Sequence, residues 1–138
     1  MTTLSQAALK YVGTPFLHRG RTTRGMDCIG LVLCAAVDCG YIPNNIPTYG
    51  REPHKGLLST GLRERLGVAL TRELQPNDII VQRLHVGGEP SHVGIITDHP
   101  HGLGIVHCYG DIGRVVHQRL GDNRRKLITE AFEWQGKS

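Results

Sequence analysis

The chain has 138 residues, 39% hydrophobic and 20% charged, the balance of one globular domain over 1–138 with room for a single core. No apolar run approaches the roughly 20 residues that span a bilayer, and the start Met-Thr-Thr-Leu-Ser-Gln lacks the basic and apolar segments of a signal peptide, so membrane insertion is not expected and synthesis in the cytoplasm is. A net charge of +4 and a pI of about 9.1 suit a polyanionic partner, but the basic residues are scattered and aromatics are only 5%, which argues against nucleic acid.

Thr3-Leu-Ser-Gln6 reads as a capping box, and Leu4, Ala7, Ala8, Tyr11 and Val12 follow at helical spacing until Gly13 and Pro15 end the helix. Residues 16–26 form a loop crowded with Gly and Arg. Asp27 is an N-cap and Gly40 a stop, so 28–39 is expected as one buried helix. Residues 40–56 carry several Pro and Asn breakers and form an irregular excursion, after which Leu58, Leu62 and Leu66 mark a short helix stopped by Gly67.

From Gln75-Pro76-Asn77 onward the period is that of strands: 78–84, 91–97, 104–109 and 114–120, joined by Gly-rich turns as an antiparallel meander. Residues 127–134 add a closing strand or short helix. Helices first and strands later define an α+β domain.

Cys28 stands at the first position of the expected central helix. Backbone N–H groups there lack intrahelical partners and the dipole is positive, so the sequence predicts a thiol that ionises near neutral pH, the form that is nucleophilic. The same N–H groups can hold a developing oxyanion. Cys34 and Cys39, further along the helix, read as small core residues. The four cysteines show no zinc-finger spacing and need not be oxidised.

Of eight histidines, His54, His85, His99, His101 and His117 fall in turns or on solvent faces. His92 in Ser-His-Val-Gly-Ile-Ile and His107 in Ile-Val-His-Cys-Tyr lie inside apolar strands. A four-residue turn at 98–101 sets His92 directly opposite His107, their Cβ atoms about 5 Å apart on one face. A helix-terminal cysteine with two aligned histidines is the pattern of nucleophile, base and orienting group.

Asp27-Cys28-Ile29-Gly30-Leu31, His92-Val93-Gly94-Ile95 and His107, in that order, resemble the NlpC-type cell-wall cysteine peptidases. Gly13-Thr-Pro-Phe16 and Asn77-Asp78-Ile79 extend the likeness from about Leu4 to Leu120. The resemblance implies a minimal papain-like fold, its nucleophile helix packed on an antiparallel sheet of about five strands. It also implies hydrolysis of peptide bonds in peptidoglycan stem peptides, often after a D-glutamyl residue, with Cys28, His92 and His107 as the catalytic set and no cofactor. Phe16, His18 and Asp27 are then assigned to the substrate site. Phe16 stands where many members carry a tyrosine, and Ile29 where many carry serine. Phe16-Leu-His18-Arg-Gly20-Arg21 and Tyr49-Gly50-Arg51 resemble the phage-encoded branch, which implies association with tails and tail-tip proteins as partners; delivery to the wall by a phage particle, a holin or a secretion system is expected.

Two other functions remain open on the sequence. An acyltransferase shares the acylation half of this chemistry, and a tail component with a relict site shares the fold. Zinc on Cys28, His92 and His107 is chemically conceivable, but the spacings match no zinc motif.

Overall fold

The computed structural model describes residues 2–41, 66, 69–88 and 90–133. The excursion expected at 40–56 and the helix expected through Leu58 and Leu62 therefore lie outside the described residues, apart from Gly40, Tyr41 and Leu66.

Helix α1 (Leu4–Leu9) begins at the expected capping box: Thr3 accepts from the Gln6 N–H while the Gln6 side chain accepts from the Thr3 N–H. The loop after it contains a small ribbon, β1 (Arg21–Thr22) with β2 (Gly25–Met26), which the Gly- and Arg-rich composition does not announce. Helix α2 (Cys28–Asp38) follows.

The remaining elements are β3 (Ile79–Gln82), β4 (His92–His99), β5 (Gly102–His107), β6 (Val116–Arg119), a single-turn helix α3 (Asp122–Arg125) and β7 (Ile128–Phe132). They build one antiparallel five-stranded sheet in the order β6-β5-β4-β3-β7. The expected meander is present. Its closing strand returns across the sheet to pair with β3.

Strand alternation splits the core in two. Val93, Ile95, Val106, Ile79, Val81 and Phe132 face α1 and α2, joining Leu4, Ala7, Ile29, Leu31 and Val32 in one cluster. Ile80, Ile96 and Ile105 face the other way, beneath Leu120, Ala131 and Ile128. Fully burying each such side chain is worth about 1.5–3 kcal/mol, and β4, the central strand, is buried on both faces from His92 to Thr97. At the sheet's entry Asn77 adopts φ +81°, a conformation that Gly or Asn tolerates best. Its side-chain oxygen accepts from the Ser5 N–H at 2.9 Å, fastening α1 to β3.

One expectation is corrected. Strands β4 and β5 run on to a two-residue turn, with His99 paired to Gly102, so the register differs by two residues from that of a four-residue turn. His107 lies opposite Gly94, not His92. A shift of two preserves the face, and the two histidines remain diagonal neighbours.

Candidate active site

Asp27 sets the start of α2. Its Oδ1 accepts from the Gly30 N–H at 2.8 Å and its Oδ2 from the Arg19 N–H at 2.9 Å, with the residue only 4% exposed. It thereby ties the 17–20 loop to the helix end. A Cβ on Gly30 would run into the Gly20 carbonyl oxygen, so this close approach requires glycine. Buried and engaged with backbone on both oxygens, the Asp27 carboxylate positions the helix that carries Cys28.

Cys28 is half-buried, over the first peptide of β4. The Val93 and Ile29 backbone N–H groups are directed at its sulfur and favour the thiolate. Burial outweighs them, and with the Asp27 carboxylate and Cys108 it pushes the thiol up to about 12. Against the helix-terminal effect that the sequence leads one to expect, desolvation is the larger influence on this thiol. Cys108, beneath the site, donates to the Met26 carbonyl at 3.4 Å and is pushed up to about 11, chiefly by burial.

His92 and His107 are both buried, and His92 Nε2 meets His107 Nδ1 at 2.9 Å. The contact crosses the space that Gly94 leaves empty: a Cβ there would sit 2.8 Å from Ile105 Cδ1 and 3.3 Å from His107 Cβ. Burial first, then His107 and Arg124, hold His92 well below 6.5. His107 is lowered to about 4 by burial, against the raising effect of its bond to Gln118, with Arg124 lowering it further. Both imidazoles are neutral at pH 7. Tyr109 closes the cluster, its ring centroid 5.1 Å from that of His92 and 5.5 Å from that of His107.

Alternation turns His92 away from the helix-facing side on which Val93 lies, while the Cys28 sulfur meets the Val93 N–H, one residue along β4 from His92. Among the described residues, no hydrogen bond joins Cys28 to either histidine, and no three His, Cys or carboxylate side chains are placed to hold a metal ion.

Phe16 is half-buried against the helix-side core, its N–H bonded to the Gly113 carbonyl and its ring beside Gly110. His18 is half-buried in the loop that Asp27 anchors. Two cavities, about 490 Å³ beside Arg72, Leu103 and Ile128 and about 300 Å³ beside Tyr11, Cys34 and Val37, include none of Cys28, His92 and His107 in their linings.

Two polar residues of the cluster escape sequence reasoning. Gln118 on β6 accepts from His107 Nε2 through its Oε1 at 2.8 Å. It sits in a strand of mixed polar residues, and nothing singles it out. Gln82, paired with His92 across β3 and β4, is fully buried with neither amide atom hydrogen-bonded. The only signal for it is a glutamine closing the apolar run Ile-Ile-Val.

No family sequence model matches the chain, and no curated protein matches it in sequence. Solved structures do match. A Staphylococcus aureus protein described as similar to lipoprotein, of the NLP/P60 family, aligns over 96% of this chain at 18% identity and TM-score 0.62. The NlpC/p60 domain of peptidoglycan hydrolase SagA aligns over 95% of this chain and 96% of its own, at 17% identity and TM-score 0.59. NlpC1 from Trichomonas vaginalis aligns over 95% of this chain at 15% identity and TM-score 0.60. This chain spans 40% and 44% of the lengths of the S. aureus and T. vaginalis chains. The fold is that of the NlpC/P60 domains, the minimal papain-like arrangement of a helix-borne segment on an antiparallel sheet.

Proposed function

We propose that this protein belongs with the NlpC/P60 hydrolases and is a cysteine peptidase or amidase of peptidoglycan stem peptides. The observation that supports the reading is that Cys28, at the capped end of α2, faces the Val93 N–H on β4, the residue next to His92, whose Nε2 meets His107 Nδ1 at 2.9 Å.

In this reading the thiol and both imidazoles rest neutral, burial pushing the thiol up and the imidazoles down. His92 takes the proton as the Cys28 sulfur attacks the substrate carbonyl, so ionisation accompanies attack instead of preceding it. At the helix start the Gly30 N–H is held by Asp27 and the Ile29 N–H faces the sulfur, so the Cys28 N–H is the donor that receives the oxyanion. The protonated His92 then gives its proton to the leaving amine, and water resolves the thioester. His107 holds the His92 ring and stabilises its imidazolium. Phe16 and His18 belong to the substrate wall, and Asp27 orients the nucleophile. The net charge of +4 suits an anionic wall polymer. Action at the wall, delivery by a phage particle and contact with tail-tip proteins complete the reading.

The test is incubation with purified stem peptides and mass spectrometry of the products. Two fragments that together gain one water identify a hydrolase. A product joined to an added amine or lipid acceptor identifies a transferase, and unchanged peptides overturn the enzymatic reading.

A further inference from the structure

Resting on the reading of His92 as the base, we infer that Gln118 is a positioning residue that fixes the proton arrangement of both histidines and leaves His92 Nδ1 bare. The Gln118 amide is assigned with Oε1 toward the ring, 2.8 Å from His107 Nε2; an amide oxygen can only accept, so in that orientation His107 Nε2 carries the hydrogen. A neutral imidazole has one N–H, which leaves His107 Nδ1 as an acceptor. The nitrogen facing it at 2.9 Å, His92 Nε2, must therefore donate. The only lone pair remaining on the His92 ring is at Nδ1, the atom that has to receive the thiol proton.

The order of causes runs from β6 inward. Gln118 is paired with Ile105, and His107 with Val116, so the amide reaches His107 diagonally, as His107 reaches His92. Without an acceptor at His107 Nε2, the reversed arrangement becomes accessible, with hydrogen on His107 Nδ1 and on His92 Nδ1. In that state His92 has no lone pair to offer the thiol. The buried, water-poor setting of both rings leaves this amide as the group that decides between the two arrangements.

The test is long-range ¹H–¹⁵N NMR of the ring nitrogens at about pH 8, on wild type, Gln118→Leu and Gln118→Glu, alongside turnover of stem peptides. Wild type should show both rings as Nε2–H. Gln118→Leu should populate the Nδ1–H form of His107 and lose roughly 10²-fold or more in turnover, since a wrongly held tautomer can cost up to about 10⁴-fold. Gln118→Glu, which also accepts, should keep the Nε2–H form and most of the activity. Wild-type ring spectra in Gln118→Leu, or a wild-type His107 protonated at Nδ1, overturn the inference. Correct tautomers in a wild-type protein that cleaves no peptide would leave the positioning role standing and remove the peptidase reading.

Discussion

His107 lies directly opposite Gly94 and diagonally from His92, whose Nε2 it meets at 2.9 Å across the space that a side chain at 94 would fill. Gly94→Ala should therefore cost about 1–3 kcal/mol of stability by overpacking and displace His107, lowering turnover more than the stability loss explains. Adding Ile105→Val, which removes the Cδ1 atom 2.8 Å from the new methyl, should restore part of the stability but not the His107 placement, because the 3.3 Å approach to His107 Cβ remains. Urea titration with turnover on the same samples separates the two effects. A fully active Gly94→Ala would show that the diagonal pair does not depend on this vacancy.

Asp27 has opposite effects on stability and on thiol acidity. Asp27→Ala removes the cap of α2 and leaves the Gly30 and Arg19 N–H groups without their acceptor, an expected loss on the order of 2–3 kcal/mol. The same carboxylate raises the Cys28 thiol, so Asp27→Asn should be less stable yet ionise at lower pH, read from the pH dependence of Cys28 alkylation. A rise in thiol pKa on neutralising Asp27 would contradict this electrostatic account.

The first two helices, the meander and the neighbouring of His92 and His107 were legible from local signals: Thr3 and Gln6, Asp27, and two histidines inside apolar strands. The register was not. It depends on where the β4–β5 turn closes, and Asp98 and His99 look like turn residues although they extend the strand. The error was two residues, an even number, so the face survived while the partner changed. The opposing influences on the Cys28 thiol are only half legible, because helix position is visible in sequence and burial of the sulfur is not. Gln118 was invisible because its role depends on a diagonal contact between strands.

Stability should depend on acid through the buried imidazoles. Folded His92 and His107 lie below the ordinary 6.5, so the unfolded chain binds more protons as pH falls below 6.5, and stability drops through that window. For His107, lowered to about 4, the loss by pH 4 is on the order of 3 kcal/mol at about 1.4 kcal/mol per pKa unit. Above pH 6.5 neither ring should matter. Urea midpoints at pH 7.5 and 5 should differ in wild type and differ less in His107→Asn. Equal midpoints in wild type would argue that the rings are not held neutral by burial.

Cys28 should react through its base, not through a resting thiolate. Burial raises Cys34 and Cys39 as well, and Cys28 reaches about 12, so acidity alone gives Cys28 no lead. Iodoacetamide at neutral pH should nevertheless label Cys28 ahead of Cys34, Cys39 and Cys108 in wild type, and His92→Ala should abolish that lead. A lead that persists in His92→Ala would assign the activation to something other than the imidazole.

The division of labour between the two histidines is tested most directly by turnover of stem peptides in wild type, His107→Asn, His107→Ala and His92→Ala, with circular dichroism to show that all four are folded. Activity should fall in that order. His92→Ala should be inactive, and His107→Ala should be slowed by up to about 10⁴-fold, the scale on which an orienting member acts. A fully active His92→Ala would contradict the assignment of the base, and with it the account of this site.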